Sequence, residues 1–325
     1  MTQKSSDSIL VWSERYPLDL NAFGIQKPFA VDRGLMVLNK LGEDVMPVPY
    51  FEPATATRED LLLVHTPEYL SSLESSETWK EIFELKTTEY FPERATRPLV
   101  DLYEDIKLQT GGTMRSVDIA LERGLSANLG GGFHHGYADK GTGFCGMNDI
   151  AVAIRSAQKR NLVKKVLVVD LDFHQGDGTA VIFGGDKDVF TYSVHSEEGW
   201  PEEKQKSDLD VGILSAEQHL YLEKSAEGLD KALSAFDPEL VIYLAGSDPY
   251  EKCALPGSHF IKRPLAEMRK RDEMVLDLFH KRKTPLAMVF AGGYGPHVWE
   301  VHYYAVRHLL ALAGVIKPAV VGTKD

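Results

Sequence analysis

The sequence predicts an α/β protein: a single domain over residues 1–325, built as three α/β/α layers around a mostly parallel central sheet. Four short apolar runs read as strands: Leu125–Leu129, Val166–Val169, Leu240–Ala245 and Pro285–Phe290. Helical patterns alternate with them, and that alternation argues for a parallel sheet covered on both faces. Each run is followed, directly or within about a residue, by glycine or polar residues. In open α/β sheets that is where ligands bind.

Taken in order, Leu125–Leu129 is the least apolar run and leads into three glycines. Asp149–Lys159 reads as a helix, with Asn148 or Asp149 as its N-cap. Val166–Val169 is β-branched and ends abruptly in polar residues. Glu217–Phe236 has helical 3.6-residue spacing, as do Arg263–Lys283 and Val298–Ala313. The segment from Thr87 to Leu99, with Pro92 and Pro98, reads as a loop, and Val320–Asp325 as a tail. No repeat or linker divides the chain.

Composition bounds the function. Hydrophobic residues make up 43% and charged residues 26%, ordinary for a soluble globular protein. There are 48 acidic against 36 basic residues, a net charge of −12. That balance speaks against nucleic acid and anionic membranes as partners and tolerates cationic substrates. Two cysteines, Cys145 and Cys253, make neither a disulfide framework nor a cysteine metal site. A reducing cytoplasm is the simplest expected setting. The N-terminus does not read as a signal peptide, and no run approaches the length of a membrane span.

The chemistry concentrates after the strands. Asp170, Asp172 and His174 alternate at the end of an apolar strand, so they are expected on one side. Burying such groups unpaired is costly, and a bound cation removes the cost. Two oxygens and an imidazole suit Zn²⁺ or a similar divalent ion. Asp248, in Ala245-Gly-Ser-Asp-Pro249, would complete a two-carboxylate, one-histidine set. His134 and His135 follow Gly130-Gly-Gly-Phe133. A histidine pair supplies both base and acid when neighbours split its pKa values. Asp170 and Asp177 are candidate backing carboxylates. Tyr294, between glycines, would present a phenol to a developing oxyanion. Phe133 and Phe144 could wall an aliphatic chain.

Taken together, the motifs GGGFHHG, GTGFCGMND, VDLDFHQGDG, AGSDP and GGY occur in this order and resemble the zinc-dependent histone deacetylase family, with its arginase–deacetylase fold. Gln175 and the short build look most like the class IV deacetylases and their bacterial relatives. The resemblance implies zinc ligands Asp172, His174 and Asp248. It implies a catalytic pair, His134 backed by Asp170 and His135 backed by Asp177, and a carbonyl-polarising Tyr294. Gly143, Phe144 and Phe133 match tunnel positions. A structural K⁺ would sit near Asp170, Asp172 and His174, with Ser193 and Val194. Leu255, seven residues after Asp248, matches a gate that is glutamate in polyamine-selective relatives. The implied substrate is an acetyl- or longer acyl-lysine in a peptide or protein. An acetylpolyamine or other small amide is the alternative, and a silent acyl-lysine binding module is a third reading. A binuclear arginase-type centre is disfavoured, because Gly176 and Tyr250 stand where bridging carboxylates are needed.

Overall fold

The computed structural model describes residues 5, 7–27 and 32–318, so the expected tail at Val320–Asp325 lies outside the described residues. Among the described residues, seven strands form one sheet. They are β1 (Leu10–Val11), β2 (Leu125–Asn128), β3 (Val166–Asp170), β4 (Val189–Ser196), β5 (Leu209–Ile213), β6 (Leu240–Leu244) and β7 (Leu286–Val289). Their order is β1-β2-β7-β6-β3-β4-β5. Every pairing is parallel, for example Asp170 beside Ser193 and Leu244 beside Val289.

The alternation of strand side chains builds two cores. Leu167, Val169, Val241, Tyr243 and Met288 point to one face. Residues of the helices Arg33–Asp44, Tyr221–Ala235, Leu265–Arg282 and Trp299–Leu312 cover it. Val166, Val168, Ile242, Ala287 and Val289 point to the other, under Leu102–Arg123 and Asp149–Lys159. This is the three-layer α/β/α arrangement expected. A third cluster packs the short helices Arg58–Leu61, Pro67–Ser72 and Ser76–Ile82 beside Leu102, Ile106, Phe133 and Phe144.

The four strands read from sequence are present, each within about two residues of its expected ends. The Asp149–Lys159 helix has its expected bounds, and the Asn148 side chain caps it by accepting from Ala151 N. The Glu217–Phe236 pattern divides into a 3₁₀ turn, Ser215–Leu220, and an α-helix, Tyr221–Ala235. One reading needs correcting. β3 ends at Asp170, so strict alternation stops there, and Asp172 and His174 lie in the turn beyond it.

The sheet order positions the site. β3 is flanked by β4 on one side and by the later β6 on the other, which is a topological switch point. The adjacent strands β2, β7, β6 and β3 end in the His-pair loop, the Tyr294 loop, Asp248 and the Asp172–His174 turn, respectively.

Candidate active site

Asp172, His174 and Asp248 converge, each offering a ligand atom within 4.8 Å of the others, and all three are buried. Backbone N–H groups fix the carboxylates. His174 N donates to Asp172 Oδ1 at 2.9 Å and Gly292 N to Asp172 Oδ2 at 2.7 Å. Phe173 N donates to Asp248 Oδ1 at 3.2 Å. Gly292 is required here, since a Cβ would strike both carboxylates. Asp248 Oδ2 is buried and accepts no hydrogen bond, although it lies 2.9 Å from His174 Nδ1. An orphaned carboxylate oxygen facing an imidazole and a second carboxylate suits a divalent cation, which would remove the desolvation cost. The donor set therefore fits the metal that the sequence implies.

The histidines stand beside this cluster, with ring centroids 4.0 Å apart. His134 Nδ1 lies 2.7 Å from Asp170 Oδ2, and His135 Nδ1 lies 2.6 Å from Asp177 Oδ1. Ionised carboxylates only accept, so each Nδ1 carries a proton and each Nε2 faces away from its carboxylate. The environments split the pair. For His134, burial lowers the pKa, but Asp170, Asp172 and Asp177 outweigh it and raise it to about 10. For His135, burial and the neighbouring His134 lower it to about 4 against the opposing pull of Asp177.

The loop carrying the pair is pinned from below. The buried Asp149 carboxylate accepts from Gly132 N at 2.9 Å, Phe133 N at 2.7 Å and Thr113 Oγ1 at 2.5 Å. Its position was read from sequence only as a helix start. Beside it, Asn148 Nδ2 donates to Gly136 O at 3.0 Å.

Tyr294, Phe133, Gly143 and Phe144 all line the cavity that contains His134, His135, Asp172 and His174. Burial, then Asp248 and Asp172, push the Tyr294 phenol well above its ordinary pKa, so it stays a protonated donor. Phe144 packs edge-on to Tyr294 at 6.1 Å and holds a φ of 66°, a strained conformation for a bulky residue. At Gly143 (φ 53°) a Cβ would meet the rings of His135 and Trp200 at 2.7 Å. Leu255 departs from expectation. Among the described residues it is not part of the cavity lining. It packs instead against Tyr250, Cys253, Met268, Val298 and Val301, because burial in this satellite cluster removes its side chain from water. The rim nevertheless touches the site, since Ala254 N donates to Tyr294 O at 2.8 Å.

Three further side chains adjoin the site. Trp200 packs edge-on to His135 at 4.6 Å and to His174 at 6.0 Å. Arg33 reaches across from the first long helix and donates to Gly292 O at 2.9 Å and Ala291 O at 2.8 Å. Lys27 lies over the Phe144 ring at 5.1 Å. A lone Trp in a charged stretch and an Arg at a helix start carry no motif, so only the fold could find them.

Residues 27–310 match the family model for the histone deacetylase domain. The chain belongs to the histone deacetylase family. Within it, the chain is 35% identical to Histone deacetylase 2 of Arabidopsis thaliana, over 88% of this chain and 74% of that protein. It is also 35% identical to an uncharacterized protein of Picosynechococcus, over 82% of this chain and 84% of that one. Similarity extends to the acetoin utilization protein AcuC of Bacillus subtilis, 32% identical over 58% of this chain and 49% of that protein. Among solved structures, a deacetylase homologue complexed with SAHA superposes with a TM-score of 0.69 at 21% identity, covering 97% of this chain and 84% of that one. The HD domain of HDA15 gives 0.67 at 20%, covering 95% and 93%. These structures support the arginase–deacetylase fold, and the chain is a deacetylase of the hydrolase class by family.

Proposed function

We propose that this deacetylase is zinc-dependent and removes acetyl or longer acyl groups from lysine side chains. The observation that carries the reading is the convergence of Asp172, His174 and Asp248, with Asp172 and His174 lining one cavity together with both histidines and the half-buried Tyr294. Zn²⁺ held by those three residues would polarise a carbonyl and acidify water.

The chain's own groups then divide the work. His135 is the neutral ring, and its Nε2 lone pair takes the proton from water, because Nδ1 is committed to Asp177. His134, whose pKa Asp170 raises, stabilises negative charge and gives a proton to the amine that leaves as the C–N bond breaks. Tyr294 donates from its phenol to the carbonyl oxygen of the acyl group as negative charge develops on it. Phe133, Phe144 and the Gly143 turn line the cavity that would enclose the aliphatic lysine stem and exclude water. The K⁺ site implied by the resemblance would use the paired ends of β3 and β4, where Asp170 stands beside Ser193.

An acetylpolyamine or other small amide is the second reading, since the Pro249–Leu255 rim departs from the family pattern, while Leu255 at the gate position speaks for acyl-lysine. A panel of peptides carrying acetyl- to myristoyl-lysine, with acetylated polyamines alongside, tests both readings with and without chelator. Chelator-sensitive hydrolysis of the peptides is the expected result. Turnover of the polyamines alone would favour the second reading. Inactivity of the zinc-loaded protein on the whole panel would leave only an acyl-lysine binding module.

A further inference from the structure

We propose that Tyr137 is a positioning residue for His135, acting through the Asp177 carboxylate. The kinetic consequence rests on the deacylase reading above, but the contact itself does not.

Tyr137 lies two residues after His135 and its phenol donates to Asp177 Oδ2 at 2.8 Å. Asp177 Oδ1 is engaged by His135 Nδ1 at 2.6 Å and by Gly178 N at 2.9 Å. Asp177 thus takes three donors, with both oxygens occupied. A carboxylate held at only one oxygen can turn about its Cβ–Cγ bond and carry the attached imidazole with it. The phenol removes that freedom.

The phenol is itself held. Tyr137 N donates to Lys140 O at 2.8 Å, and Tyr137 O accepts from His65 Nδ1 at 3.0 Å. His65 Nε2 in turn accepts from Asn148 N at 3.1 Å, and the Asn148 side chain holds Gly136 O. The Lys140 ammonium covers the ring at 4.4 Å. Residues 136–140 are therefore fixed from two sides, and the half-buried ring is a built part of the site.

The other pair is held by different means. Asp170 takes His134 Nδ1 on Oδ2 and the backbone N of Asp172 on Oδ1, at 3.1 Å, so backbone does there what the phenol does at Asp177, and no tyrosine donates to Asp170 among the described residues. When His135 gains a proton, charge builds against Asp177, and a phenol hydrogen-bonded to that carboxylate shares it. Removing the hydroxyl alone is expected to cost about tenfold in kcat, the scale of one hydrogen bond to a charged group.

The test is Tyr137→Phe in the zinc-loaded full chain. Five quantities are read: kcat and KM on an acyl-lysine peptide, zinc content, Tm, and the downfield proton NMR resonance of His135 Nδ1–H, assigned by its loss in His135→Ala. The expected result is a kcat about tenfold lower with KM within about twofold, a change confined to the chemical step. Zinc content and Tm stay unchanged and the resonance shifts. An unmoved resonance with unchanged kcat overturns the proposal. Loss of zinc or a large fall in Tm also overturns it, because Tyr137 would then be a structural prop. If the parent protein hydrolyses no acyl-lysine, the deacylase reading fails by itself and the resonance alone decides the contact.

Discussion

His134 and His135 are adjacent in sequence, are 3% and 4% exposed, and are each backed by an aspartate, yet their surroundings push them in opposite directions. His134 faces three carboxylates, with Asp172 Oδ1 only 3.8 Å from its Nε2, and its pKa is raised to about 10. His135 faces one carboxylate, the charge of its neighbour and the edge of Trp200, and is held neutral. The difference teaches that identical side chains can differ in basicity through what surrounds them, here through tertiary contacts 36 and 42 residues away in sequence, and the proposed division into base and acid rests on that.

The sharpest way to break this contrast is to remove each ring. His135→Ala is expected to lower kcat by about 10³ to 10⁴, the upper range for a general base, and His134→Ala by about 10². Equal losses would show that the rings share one duty. In the proposed mechanism Tyr294 is the fixed point against which both rings work. Tyr294→Phe is expected to cost about 10²–10³ in kcat, the size of one oxyanion donor, with the fold intact by circular dichroism. A loss of only a few-fold would move the oxyanion elsewhere and with it the reason for the split.

The backing carboxylates sharpen the comparison further. Asp177→Asn is expected to lower kcat by about 10² and Asp170→Asn by about 10, since the first disturbs the ring that must accept a proton. The reverse order would exchange the roles of the two histidines.

The last expectation concerns stability and not turnover, at His65, the brace below Tyr137. Burial pulls its pKa from the ordinary 6.5 down to about 4. Both ring nitrogens are already used in the neutral form, Nδ1 as donor and Nε2 as acceptor. Between those pH values the unfolded chain binds the extra proton, so stability is full above pH 6.5 and falls as pH drops toward 4. The pH-dependent loss is about 3 kcal/mol. Melting curves from pH 7 to 4 should show a shallower decline for His65→Gln than for the parent protein. Parallel declines would mean that His65 titrates normally.

Much of this site was legible because its chemistry is written in short motifs at strand ends. Asp172, His174 and Asp248 converge as their residue types suggested, and each histidine found the aspartate expected behind it. The strands were legible from apolar runs that only a doubly covered sheet requires. What was not legible depends on contacts across the fold. Trp200 reaches His135 only because the segment after β4 folds back over the site, and Arg33 reaches Gly292 across 259 residues of sequence. Leu255 was placed by counting from Asp248, but the rim packs its side chain into an apolar cluster that a count does not reveal. The edge strand β1, two residues long, is too short to show a period.

The central claim is hydrolysis of acyl-lysine that depends on one metal held by Asp172, His174 and Asp248. Its most direct test is a zinc titration of metal-stripped protein, with bound metal and turnover of an acyl-lysine peptide read together. Activity should rise to a plateau at one zinc per chain, and Asp248→Ala should neither take up zinc tightly nor turn over the peptide. Full turnover by the metal-free protein, or activity in Asp248→Ala equal to that of the parent, would contradict the account.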